Sequence, residues 1–143
     1  MSRLSPYLVA IVIAWVVAQG CKFLIAAVQK SGTIDYRQLY TSGNMPSSHS
    51  ATVIALLTVV GMKTGVDSAL FGMATLFAAI VMYDAIMVRR STGEQGAAIQ
   101  ALIKEQKSKV SLPRAAKGHE PLEVAVGALI GLIVGLVIFF LTR

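Results

Sequence analysis

The 143-residue sequence predicts an all-α, polytopic membrane helix bundle of about four transmembrane spans, with an amphipathic surface helix in addition. Three observations carry that expectation. The chain is 55% hydrophobic and 14% charged, with a mean hydropathy of +0.69, too apolar for an ordinary soluble domain. Its apolar residues gather into four stretches that reach or approach the roughly 20 residues a spanning helix needs. Its polar motifs fall at the ends of those stretches rather than at their centres. Residues 1–143 read as one domain, with no internal repeat and no low-complexity tract.

The first stretch, Pro6–Val28, carries Lys22 and is followed by no small-residue cleavage site, so it reads as a retained span rather than a leader. Gln19, Lys22, Ala26 and Gln29 share one helical stripe, which turns the lysine toward the bundle. An ammonium inside an apolar span is costly and functional by default; the alternative is a side chain that snorkels to the interface. The second stretch, Ser48–Met62, is short unless its helix begins within the Pro46–His49 turn. Proline fits at a helix start, where its missing N–H would be an orphan anyway. The positive end of the helix dipole would then face an anion lying in the loop.

The third stretch, Ser68–Val88, ends with Tyr83 and Asp84 and is followed at once by Arg89 and Arg90. Asp84 reads as the partner of an arginine or of Lys22 rather than as a metal ligand. Either arginine could instead be a simple interfacial anchor. The fourth stretch, Pro121–Leu141, places Gly127, Gly131 and Gly135 on one face. Such a face allows close helix approach, either within the bundle or as the seam of a homodimer.

Of the three connections, Gln29–Ser47 is polar, Lys63–Asp67 is a tight turn, and Arg89–Glu120 is the longest. In the last, Ile99, Leu102 and Ile103 recur at helical spacing among Lys104, Glu105, Gln106 and Lys107, as in a helix lying on a bilayer. Counting spans puts the first and third connections on the same side. Lys22, Pro46–His49, Arg89, Arg90 and His119 then converge on one membrane face, although a hundred residues separate them. That face holds Lys30, Arg37, Arg89, Arg90, Lys104, Lys107, Lys109, Arg114 and Lys117, against Arg3, Lys63 and Arg143 on the other. The positive-inside rule places it in the cytoplasm of a cell membrane.

The net charge of +6 comes from residues flanking spans, so anionic headgroups of the bilayer are the expected partner and nucleic acid is not. Cys21 is the single cysteine, which leaves no intrachain disulfide. No convincing metal-ligand spacing appears, and neither a metal nor another cofactor is expected. His49 and His119, the two histidines, stand at the mouths of the second and fourth stretches. Local capping or interfacial solvation would explain each alone; together, in a membrane chain, they suggest phosphate chemistry at a bilayer surface.

The motifs support that reading. Pro46-Ser47-Ser48-His49 and His119-x-x-x-Glu123 resemble the second and third signatures of the type 2 phosphatidic acid phosphatase superfamily, which also holds the vanadium-dependent haloperoxidases. Tyr83-Asp84…Val88-Arg89-Arg90 and Gly118-His119-Glu120-Pro121-Leu122-Glu123-Val124 are similar to segments of its small divergent branch. The chain departs from the broad pattern at several points. Ser48 stands for glycine and Glu123 for aspartate, Arg89 and Arg90 precede His119 by 30 and 29 positions, and Lys30-x6-Arg37 is followed by Gln38 rather than proline. Arg114 lies nearer His119 but at the wrong spacing.

The resemblance implies metal-independent hydrolysis of a membrane lipid phosphate or pyrophosphate. His119 would attack phosphorus and form a phosphohistidine, Glu123 would hold its ring, and His49 would protonate the departing alcohol. Lys22, Ser47, Ser48, Arg89 and Arg90 would surround the phosphate, with Asp84 as structural support. Phosphatidic acid, phosphatidylglycerol phosphate and polyprenyl pyrophosphate would all fit that cradle. The rival is a non-enzymatic headgroup or anion binder, or a transporter. Transporters commonly show repeated halves and polar breaks at the bilayer midplane, whereas the polar groups here cluster at one end.

Overall fold

A computed structural model describes residues 4–29, 45–113 and 118–143, which are helical without any strand. The helices are α1 (Pro6–Gln29), α2 (Ser48–Thr64), α3 (Ala69–Tyr83), α4 (Arg89–Glu105) and α5 (Pro121–Leu141), with a π turn at Asp84–Val88 between α3 and α4. Lys30, Arg37, Arg114 and Lys117 lie outside the described residues, as does most of the first connection. Three helical segments, Pro6–Val28, Ala69–Glu105 and Pro121–Leu141, are long and apolar enough to cross a membrane. The chain is thus a membrane helix bundle. Its remaining member, α2, has 17 residues and spans about 26 Å, a little under the ~30 Å hydrocarbon core.

Short as it is, α2 is the centre of the bundle, packing on α1, α3 and α5. Its contact with α5 is the closest. A Cβ added at Gly127 would come within 2.3 Å of the Ser47 carbonyl oxygen. At Gly131 it would come within 2.3 Å of the Ala51 oxygen, and at Gly135 within 2.6 Å of the Thr58 side chain. Each step of four along α5 matches a step of about four along α2, so the two helices run parallel. Hydrogen bonds at both ends agree: Ser47 N–H donates to Glu123 O at 3.0 Å, and Lys63 Nζ donates to Thr142 O at 3.0 Å. Of the two uses expected for the glycine face, packing within the bundle or a homodimer seam, the first is seen: the face is occupied by α2 of the same chain.

Helix α1 lays Ala10, Ala14 and Ala18 against Ala51, Ala55, Val59, Val134 and Ile138. Small residues at four-residue spacing let backbones approach where lipid offers no hydrophobic drive. The next position in that stripe is Lys22, 8% exposed and within electrostatic reach of Glu123. The C-terminal end of α1 thus meets the N-terminal ends of α2 and α5. A tight turn reverses the chain after α2: Gly65 takes φ +86, a left-handed value that disfavours a side chain, and Ser68 caps α3 by accepting from Phe71 N–H at 3.1 Å.

Two expectations are corrected. The third span does not end at Val88, and the helix expected around Ile99–Ile103 is present as the end of α4, continuous with that span rather than set apart from it. The hydrogen-bond ladder runs through the π turn into α4, making one helical segment of 37 residues, about 56 Å long and far longer than the ~30 Å core. The glycines at 93 and 96 do not break it, and no proline interrupts it. Ile99 and Leu102 are exposed on the projecting part. The second correction concerns Pro46, which precedes α2 rather than opening it; Ser47 is the N-cap.

Substituting Gly131 by alanine forces its methyl into the α2 backbone, so the variant should lose about 1–3 kcal/mol, read as a lower thermal unfolding midpoint in detergent. Gly72→Ala, where nothing lies within 4 Å of the added atom, should unfold with the wild type. Equal midpoints for both variants would contradict the packing described.

Candidate active site

Three helix ends and the π turn meet on one side of the bundle: the end of α1 and the starts of α2 and α5 stand beside Asp84–Val88. The start of α5 is built around one carboxylate oxygen. Glu123 Oε2 accepts from His119 Nδ1 at 2.9 Å and from Glu120 N–H at 3.1 Å. An ionised carboxylate can only accept, so this contact suits an imidazole hydrogen on Nδ1, which in the neutral ring leaves the lone pair on Nε2. His119 itself is 1% exposed. Its ring is fixed by Glu123, and its backbone N–H donates to Ala85 O at 3.2 Å.

That last bond explains the π turn. In an α-helix the Arg89 N–H would meet Ala85 O, whereas here it bonds Asp84 O. The ladder is shifted by one residue, and Ala85 O serves the loop that carries His119. Glycine at 118 is required by the same contact, because a Cβ there would lie 2.4 Å from the Arg90 backbone nitrogen. Residues 28 positions apart, Arg90 and Gly118, are thereby brought to backbone contact. π turns are infrequent and gather at functional sites.

The start of α2 is equally constrained. Ser47 Oγ accepts from Ser50 N–H at 3.4 Å and from Ser50 Oγ at 3.0 Å, so one of the hydroxyls expected at the phosphate acts as the helix cap. Ser47, Ser48 and Ser50 are all buried. His49 is exposed by contrast, and lies within electrostatic reach of Arg89, His119, Lys22 and Asp84.

The arginines divide. Arg89 Nε donates to Asp84 Oδ2 at 2.7 Å, with both side chains part-buried. Arg90 Nε donates to Glu94 Oε1 at 3.1 Å, and both line a cleft of about 650 Å³ together with Gly118, His119, Glu120 and Pro121. The structure therefore brings Lys22, Arg89, Asp84 and His119 within electrostatic reach of His49 at the α2 mouth with Ser47 and Ser48, and Glu123 beside His119 and Lys22, while Arg90 joins His119 only at the cleft it shares with Glu94.

Three contributors were missed from sequence. Gly118 adjoins His119, but nothing in the chain says what it packs against. Glu94 is four residues after Arg90, a spacing that pairs charges on a helix and could have been read. The Ala85 carbonyl carries no sequence signal at all.

A family model described as the Divergent PAP2 family matches residues 4–134. The chain is 36% identical over 148 residues to the uncharacterized membrane protein YuiD of Bacillus subtilis (strain 168), covering 93% of this chain and 90% of that protein. No solved structure matches.

With two histidines in the chain, ¹⁵N NMR of histidine-labelled protein should show one ring locked as the Nδ1–H tautomer. Glu123→Ala should convert that ring to a tautomer mixture. An unchanged spectrum would mean that Glu123 does not orient His119.

Proposed function

Since the chain belongs to the Divergent PAP2 family, we propose that it is a metal-independent phosphatase acting on a membrane lipid phosphate or pyrophosphate. The observation that carries the proposal is the buried His119 whose Nδ1 is held by Glu123. A histidine fixed in this tautomer presents Nε2 as a nucleophile.

In the first step Nε2 of His119 bonds to phosphorus as the P–O ester bond breaks, and protonated His49 gives its proton to the departing oxygen. In the second, His49 takes a proton from water, the water oxygen bonds to phosphorus, and the P–N bond breaks to release inorganic phosphate. Lys22, Arg89 and Arg90 offset the charge on the equatorial oxygens, supplemented by the N-terminal N–H groups of α2. Asp84 positions Arg89 through their 2.7 Å ion pair.

His119→Ala should abolish phosphate release from a panel of lipid phosphates while the protein still folds, with a lower unfolding midpoint because a buried, hydrogen-bonded ring is lost. His49→Ala should lose about 10²–10⁴-fold, least with a good leaving group such as p-nitrophenol. Vanadate, a trigonal-bipyramidal mimic of the transferring phosphoryl group, should inhibit, and chelators should not. Wild-type rates in His119→Ala, or chelator inhibition reversed by Mg²⁺, would sink the mechanism.

We place the site on the cytoplasmic face of the cell membrane, from the excess of lysines and arginines on that side. Lys104, Lys107 and Lys109 have no part in the chemistry and carry the signal independently. Ser108→Cys in a Cys21→Ser background should resist a membrane-impermeant thiol reagent in intact cells and react after lysis. Ready labelling of intact cells would reverse the orientation without touching the chemistry.

A further inference from the structure

The two histidines line different cavities. His119 borders the cleft shared with Arg90 and Glu94, whereas His49 stands at a separate cavity of about 220 Å³. The walls of that second cavity come from three helices: Ile11 of α1, Val53 and Leu56 of α2, and Phe77 and Val81 of α3. Thr52 also borders it, but its hydroxyl donates to the Ser48 and His49 carbonyls at 3.0 and 2.8 Å. Its polar atom is therefore engaged with backbone, and apart from His49 the lining is apolar. Val53 is buried, while Phe77 is 53% exposed at the bundle surface. The groove thus opens sideways, where the bilayer would be.

We propose that this groove seats the hydrocarbon chain of the leaving alcohol, a single alkyl or prenyl chain entering from the bilayer. The inference rests on the phosphatase reading above and deepens it. In phosphoryl transfer the attacking and leaving groups stand roughly in line through phosphorus. The leaving oxygen must lie beside its proton donor, His49, and the chain attached to that oxygen must continue past it. The apolar groove begins there. From His49 to Leu56 it follows α2 for about 10 Å, a third of the ~30 Å hydrocarbon core. Its 220 Å³ is room for about seven water-sized groups at roughly 30 Å³ each, the volume of part of a single chain.

The chain is already in an apolar medium, so the groove adds little affinity. Its effect is positional: it aligns the leaving oxygen with His49. Discrimination should therefore appear as a dependence of kcat/KM on chain length. Leu56→Trp would fill the lower groove, and Leu129→Trp on the exposed face of α5 serves as the control.

The test compares phosphate release from a long single-chain alkyl phosphate and from a butyl phosphate. It is paired with photocrosslinking by the same long-chain phosphate bearing a mid-chain diazirine, and by the corresponding headgroup-free alcohol. Leu56→Trp should lower the long-to-short ratio of kcat/KM at least tenfold, and Leu129→Trp should not. Adducts of the phosphate probe should concentrate on Val53, Leu56, Phe77 and Val81, exceed those of the alcohol, and disappear in Leu56→Trp. Phosphate release with an unchanged ratio, or adducts spread evenly over lipid-facing residues, would overturn the groove and leave the phosphatase standing. Concentrated adducts without hydrolysis of any substrate would overturn the phosphatase and leave a seat for a lipid phosphate. Equal labelling by the alcohol would reduce the groove to an ordinary lipid contact and overturn the inference.

Discussion

The parallel, glycine-mediated contact between α2 and α5 is the constraint on which the rest of this molecule depends. Antiparallel neighbours would put the mouths of these helices on opposite faces of the bundle and separate His49 from His119. Parallel packing brings both mouths together, and Gly127, Gly131 and Gly135 let the axes close until α5 meets the α2 backbone at Ser47 and Ala51 and the Thr58 side chain. The arrangement has an electrostatic cost, because each N-terminus carries roughly half a positive charge and the two now lie side by side. Glu123, in the first turn of α5, offsets part of it. What remains is a positive field at one end of the bundle, joined by Lys22 from α1 and Arg89 from the π turn. That field suits an anion, and it exists only because the two helices point the same way.

The histidines are held very differently, and the difference follows from backbone geometry. His119 is fixed at three points: its ring by Glu123, its N–H by Ala85 O, and the preceding residue by contact with Arg90. His49 lies on the exposed side of the first turn of α2. A nucleophile benefits from a fixed position, since small displacements cost heavily in rate. In the proposed mechanism His49 would meet first an alcohol and then a water, and an exposed ring can reach both.

Much of this was legible in the sequence. The apolar stretches gave the helix ends to within one or two residues for α1, α2 and α5, and the count of spans gave the convergence of the polar motifs. The motif resemblance to the divergent phosphatase-like family agrees with the family match over residues 4–134. The failures have physical causes. Hydrophobic periodicity reports burial and not hydrogen-bond register, so it cannot detect a π turn. It placed a boundary at Val88 because polarity rises there, whereas the backbone continues to Glu105. It left the partner of the glycine stripe open, because a flat face fits a sister helix and a second copy equally well. Ser47, expected as a ligand group, also caps α2, a role its place at the helix start could have suggested.

The π turn also bears on the chain's departures from the broader superfamily pattern. There an arginine lies six residues before the histidine; here Arg89 and Arg90 are 30 and 29 positions away. Distance along the chain matters less than what closes it. Shifting the ladder by one residue at Asp84–Val88 turns Ala85 O toward the His119 loop and leaves Arg89 facing Asp84. Glycine at 118 removes the Cβ that would hold the two backbones apart. A side chain at 118, or a residue deleted from the π turn, would disturb Arg89, Arg90 and His119 together, because one backbone contact positions all three. The cations are thus supplied by the geometry of a helix rather than by a short motif, which is how a chain this small can bring them to its histidines without the usual spacing.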